Sequence, residues 1–148
     1  NYLYAAELIK YHTHLGGSLG ASGFMYGLFP LSGKLPPKPY LANLHMLATR
    51  DDFSVRNLSQ EISKDLPSTV FVSTRMDWPG TTSVKAAVLD TDLYQAVTHI
   101  PENKDRHYGA FGGTLYTYKF QDASLKPDRA LMDDPSIICG NKSKLDAK

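Results

Sequence analysis

Between Lys10 and Lys34 the chain carries no Asp, Glu, Lys or Arg, an uncharged run of 23 residues. A run of that length belongs either in a bilayer or inside a protein, since roughly 20 apolar residues span a hydrocarbon core. His12, His14, Ser18, Ser22 and the glycines dilute its hydrophobicity, so a lone helix of this composition inserts weakly. Gly16, Gly20, Gly23 and Gly27 follow one another at spacings of four, three and four. On a helix those positions share one face. A stripe without side chains lets a neighbouring helix approach closely. Each glycine costs a helix about 1 kcal/mol relative to alanine, which close contact with a partner would offset. The spacing predicts an apolar helix from Tyr2 to Phe29. Its interface is Gly16, Gly20, Gly23 and Gly27, with Ser22 extending the smooth surface.

Pro30, Pro36, Pro37 and Pro39 then punctuate the sequence, predicting a stiff connector with few backbone donors. The organisation expected is a glycine-rich helical segment over 1–31, a proline-rich connector over 32–40, a small α+β domain over 41–120 and an extended tail over 121–148. Leu41, Leu44, His45, Leu47 and Ala48 give a short amphipathic helix. Val55, Leu58, Ile62 and Leu66 recur at helical spacing after a capping Asp52 or Ser54, and Pro67 closes that helix. The pattern then changes to period two. Thr69–Met76 reads as a strand, Asp77-Trp78-Pro79-Gly80 as a turn and Ser83–Leu89 as the returning strand of a hairpin. Asp92–Ile100 fits helix and strand equally, Pro101–Arg106 is a charged loop, and Thr114–Phe120 is a third strand. Helices first and strands afterwards make the fold class α+β, with a small antiparallel sheet and an irregular C-terminal tail.

Composition removes several functions. Sixteen Lys+Arg against fifteen Asp+Glu leave +1, so no bulk charge draws the chain to nucleic acid. One Cys, Cys139, excludes a disulfide framework and a Cys-rich metal site within the chain. His12 and His14 are two apart, not the four that place a metal pair on one helical face, and His45, His99 and His107 are isolated. Neither a metal nor a cofactor is expected. Asn1 in the place of Met predicts a processed protein or a fragment.

Three short stretches resemble known enzymes. Gly16-Gly17-Ser18-Leu19-Gly20 resembles the nucleophile elbow of α/β-hydrolases, which implies Ser18 as nucleophile with Asp90 or Asp92 and His99 or His107 completing a triad. The candidate triad is Ser18, His99 and Asp92. Gly20-Ala21-Ser22-Gly23-Phe24 resembles the serine motif of rhomboid intramembrane proteases, implying Ser22 as nucleophile; the later spanning helices of that family have no counterpart after Pro30. Phe71-Val72-Ser73-Thr74 resembles the central Ser-Thr strand of ADP-ribosyltransferase toxins, with Arg50 upstream and Glu102 downstream. The paired Glu/Gln-x-Glu of that family is absent, and Arg50 lies too close to the strand.

The function expected from these readings is a non-catalytic accessory subunit of a larger complex, at an organellar (mitochondrial) membrane. Its partners would be other protein subunits packed on the glycine face, with membrane lipid as a further contact and no nucleic acid. The alternatives are a small serine hydrolase using Ser18 and a soluble ligand-binding domain whose pocket the glycine run lines.

Overall fold

The computed structural model describes residues 2–23, 26–49, 54–73, 80–103, 111–122 and 124–126. In chain order these form α1 (Tyr2–His12), β1 (Leu19–Ser22), α2 (Leu28–Ser32), a 3-10 helix (Pro39–Asn43), α3 (Leu44–Ala48), α4 (Val55–Asp65), β2 (Thr69–Ser73), α5 (Thr81–Asp90), β3 (Tyr94–Asn103) and β4 (Phe111–Tyr118). The class is α+β, built on a four-stranded mixed sheet in the order β1-β2-β4-β3. The β1–β2 pair is parallel, whereas β4 runs antiparallel to both β2 and β3.

Strand alternation divides the interior into two cores. On one face Phe71 and Leu115 meet Leu19 and Ala21 of β1, Ala5, Leu8 and Ile9 of α1, and Leu28 of α2. On the other, Val70, Val72 and Tyr116 meet Leu58 and Ile62 of α4, Val84, Ala87 and Val88 of α5, and Leu41 and Leu44. Side chains of successive strand residues point to opposite faces, so β2 feeds both cores. A strand covered on both faces reads as continuous apolar sequence.

The glycine run is not a helix. The first helix stops at His12, and the run continues as β1, whose four residues are all buried. Gly16 at φ +81° and Gly23 at φ +92° flank that strand in a backbone region that L side chains rarely adopt. The run's small residues therefore serve two tight turns and a packed strand. Gly16, Gly20, Gly23 and Gly27 share no helical face, and the docking stripe expected of them does not exist. Among the described residues no helix is long and apolar enough to cross a membrane.

The segmentation changes too. Residues 1–31 and 41–120 contribute neighbouring strands of one sheet, and the connector between them runs along the outer edge of β1, where the Leu35 carbonyl accepts from Leu19 N–H at 3.1 Å. Pro30 lies inside α2, which a left-handed Gly33 ends.

The hairpin expected of Ser83–Leu89 is also absent. That stretch is α5, because Val84, Ala87 and Val88 sit at helical spacing and Ala86-Ala87 favours helix over strand. The partner of β2 is instead β4, with Phe71 opposite Leu115. Of the charged loop expected over Pro101–Arg106, Pro101–Asn103 instead end β3, and residues 104–110, like 74–79 and those beyond 126, lie outside the described residues. Helix α4 is as expected, with Ser54 accepting from Asn57 N–H at 3.1 Å as its N-cap.

Candidate functional site

The three residues of the hydrolase reading are held apart. Ser18 lies where β1 begins and bonds to Ser68 through both side chains and backbones. Asp92 is fully exposed and pairs with Lys119 at 2.9 Å; that ammonium holds its carboxyl below the usual range. His99 stands on β3 with Nδ1 3.0 Å from the Thr114 hydroxyl. Ser68 bonds to Tyr118, so Ser18 is level with the end of β4. Thr114 and His99 sit four strand residues further along, about 13 Å at the usual rise per residue. A nucleophile and its base must be within hydrogen-bond reach, and these are not.

Ser22 is fully buried at the C-terminal end of β1, and its Oγ has no hydrogen-bond partner among the described residues. The next residue, Gly23, donates its backbone N–H to Nδ1 of His45 at 2.9 Å. An accepting Nδ1 carries no proton, so this ring is neutral with its hydrogen on Nε2. Burial pushes the His45 pKa down, which agrees with a neutral ring. Of the transferase-like stretch, Phe71, Val72 and Ser73 lie in β2, one of the two inner strands of the sheet. Thr74 and Arg50 lie outside the described residues, and Glu102 falls within β3.

Two surfaces stand out instead. One is the end of the sheet where β1, β2 and β3 begin and β4 finishes. Four chain segments are tied together there. Lys34 Nζ donates to the His14 carbonyl at 3.1 Å, Leu15 N–H donates to the Lys126 carbonyl at 3.3 Å, and Gln121 Nε2 donates to the Ser68 carbonyl at 3.0 Å. The residues next to these ties are large and apolar. Leu15 is 76% exposed, Leu35 75% and Phe120 66%, and Leu125 is exposed as well. Single exposed leucines are ordinary, whereas grouped ones mark contact surfaces.

The other is an open groove of about 460 Å³ between α4 and α5. Arg56, Ser59, Gln60, Ser63 and Lys64 line it from α4, with Asp90 and Thr91 opposite. In the sequence this polar flank of α4 reads as a solvated face, and only the packing of α5 beside it makes a concavity. The Tyr40 phenol donates to Asp65 and Glu61 of α4, and those carboxylates raise its pKa.

No family model, no curated protein and no solved structure matches this chain. Among the described residues no three His, Cys, Asp or Glu side chains come together as a metal site.

Proposed function

We propose that this chain is a non-catalytic accessory subunit of a larger protein complex, docking through the apolar end of its sheet. The supporting observation is that the exposed Leu15, Leu35 and Leu125 each belong to, or lie next to, a residue of the hydrogen bonds joining His14 to Lys34 and Leu15 to Lys126. Backbone and side-chain ties of this kind hold a surface in one shape, which lowers the ordering cost of binding. Burying three leucines on a partner contributes roughly 1.5–3 kcal/mol for each. The surface replaces the glycine stripe as the docking element, and the partner is another folded protein subunit.

Native electrophoresis of an extract of the source tests this reading. The wild-type chain is expected in a band well above its own 16.4 kDa. A Leu15→Asp/Leu35→Asp variant, folded by circular dichroism, is expected to run alone. A wild-type chain that runs alone overturns the proposal, and so does a double variant that stays in the large band.

A further inference from the structure

Strands β1, β2 and β3 run in one direction, since β1 is parallel to β2 while β2 and β3 are both antiparallel to β4. All three finish at the end of the sheet opposite the apolar one. Helix α5 is the crossover from β2 to β3, so it starts at that same end. Ser22 closes β1 there, paired with Val72. Leu19 and Ala21 face the α1 core, so Gly20 and Ser22 face the other side of the sheet. Gly20 confirms the direction, because a methyl on it would meet Val70 and Leu41 of the core that α4 and α5 cover. Ser22 is thus a fully buried hydroxyl on the α5 face, and its Oγ has no partner among the described residues. Buried hydroxyls are nearly always satisfied, so this one points to a ligand group as its partner. The start of α5 is brought beside it through His45. The ring accepts from Gly23 N–H at 2.9 Å, next to Ser22, and the His45 carbonyl lies against Gly80, where an added Cβ would come within 2.5 Å of it. Gly80 caps α5 at φ +82° without a side-chain bond to the helix. The first bond within α5 runs from Val84 N–H to the Gly80 carbonyl at 3.0 Å, so the amides of Thr81 and Ser83 lie ahead of the helical ladder and point out of its end.

We propose that Ser22 and the N-terminus of α5 bind the carboxylate of a small organic acid. One carboxylate oxygen accepts from the Ser22 hydroxyl and the other from the α5 amides. These donors are neutral, and a helix N-terminus adds only about half a positive charge, which suits a monoanion better than a phosphate dianion. A hydroxyl shielded from solvent also selects a small ligand. The site lies at the opposite end of the sheet from Leu15 and Leu35 and does not rest on the docking reading.

Titration of the full chain with acetate, acetamide and inorganic phosphate at constant ionic strength, followed through backbone amide NMR shifts, tests it. Acetate is expected to shift the Gly23, Thr81 and Ser83 amides saturably, with a Kd of about 1–10 mM. Acetamide keeps the shape without the charge and is expected to bind at least about tenfold more weakly. Ser22→Ala is expected to lose at least about tenfold in acetate affinity, while its spectrum without acetate remains that of the folded wild type. Absence of saturable shifts at these amides overturns the proposal. So does acetamide binding as tightly as acetate, inorganic phosphate binding more tightly than acetate, or a folded Ser22→Ala chain that binds acetate unchanged.

Discussion

The backbone N–H of Gly23 and the imidazole Nδ1 of His45 form a 2.9 Å hydrogen bond inside the protein, between the end of β1 and helix α3. A protonated ring has no acceptor to offer at Nδ1, so charging His45 breaks this tie. Burial lowers the pKa of His45, and that of His12 as well. The unfolded chain then takes up protons first as pH falls below the ordinary histidine value of about 6.5, while the folded chain does not. Stability is therefore expected to be full above that value, to decline as pH drops through it, and to level off below the folded pKa values. Urea melts between pH 8 and pH 5 check this. His45→Gln is expected to be less stable at pH 8 and to show a shallower decline; an equally steep one would remove His45 from the explanation.

The same strand end separates the glycines by role. Gly23 holds φ +92°, so Gly23→Leu is expected to destabilise the fold by about 1–3 kcal/mol, and not merely to alter an interface. Gly20 has ordinary backbone angles, and an added methyl would make normal contacts with Pro67, Leu41 and Val70. Gly20→Ala is expected to be neutral or stabilising by up to about 1 kcal/mol. Thermal denaturation of the two variants side by side distinguishes them.

Ser22 presents a hydroxyl that nothing among the described residues satisfies. Desolvating a hydroxyl without a partner costs about 1–3 kcal/mol, so Ser22→Ala is expected to melt at or above the wild-type temperature. A clear loss of stability would show that the hydroxyl is bonded in solution.

Gly113 of β4 lies opposite Ser73 and Ile100, under the ring of Phe71. A methyl at that position would be driven into the ring and the Val72 carbonyl. Gly113→Ala is expected to cost about 1–3 kcal/mol, as overpacking does. The companion Phe71→Leu/Gly113→Ala pair should recover part of that loss, measured by the double-mutant cycle in urea.

What could be read in the sequence follows the length over which a pattern persists. Helix α4 has apolar spacing, a cap and a terminating Pro67, and all of them agree. Strand β2 is legible because Val70, Phe71 and Val72 form a short β-branched and aromatic run. The α5 stretch reads in the sequence as a strand because its valines favour one, and the structure makes it a helix because the burial of Val84, Ala87 and Val88 is set by tertiary packing. The glycine run misled for a related reason. Four-three-four spacing also occurs when separate turns each need a glycine, and periodicity cannot tell a stripe from two corners. Of the candidate sites, the hydrolase triad failed because its members lie at different levels of the sheet. The α4–α5 groove gives no signal until two distant segments are placed side by side.

The parallel pairing of β1 with β2 has a kinetic consequence. Everything from Gly23 to Ser68, including α2, α3 and α4, lies between the two strands. Such a long excursion pays its closure entropy before the pairing returns anything. In β2-α5-β3-β4 only residues 104–110 separate β3 from β4, and the excursion from Ser73 to Phe111 is shorter than that from Ser22 to Thr69, so this part should assemble first, leaving the first strand to dock last. Until then the open side of β2 is a bare row of amides and carbonyls, and crowded refolding mixtures should lose material to aggregation at that step.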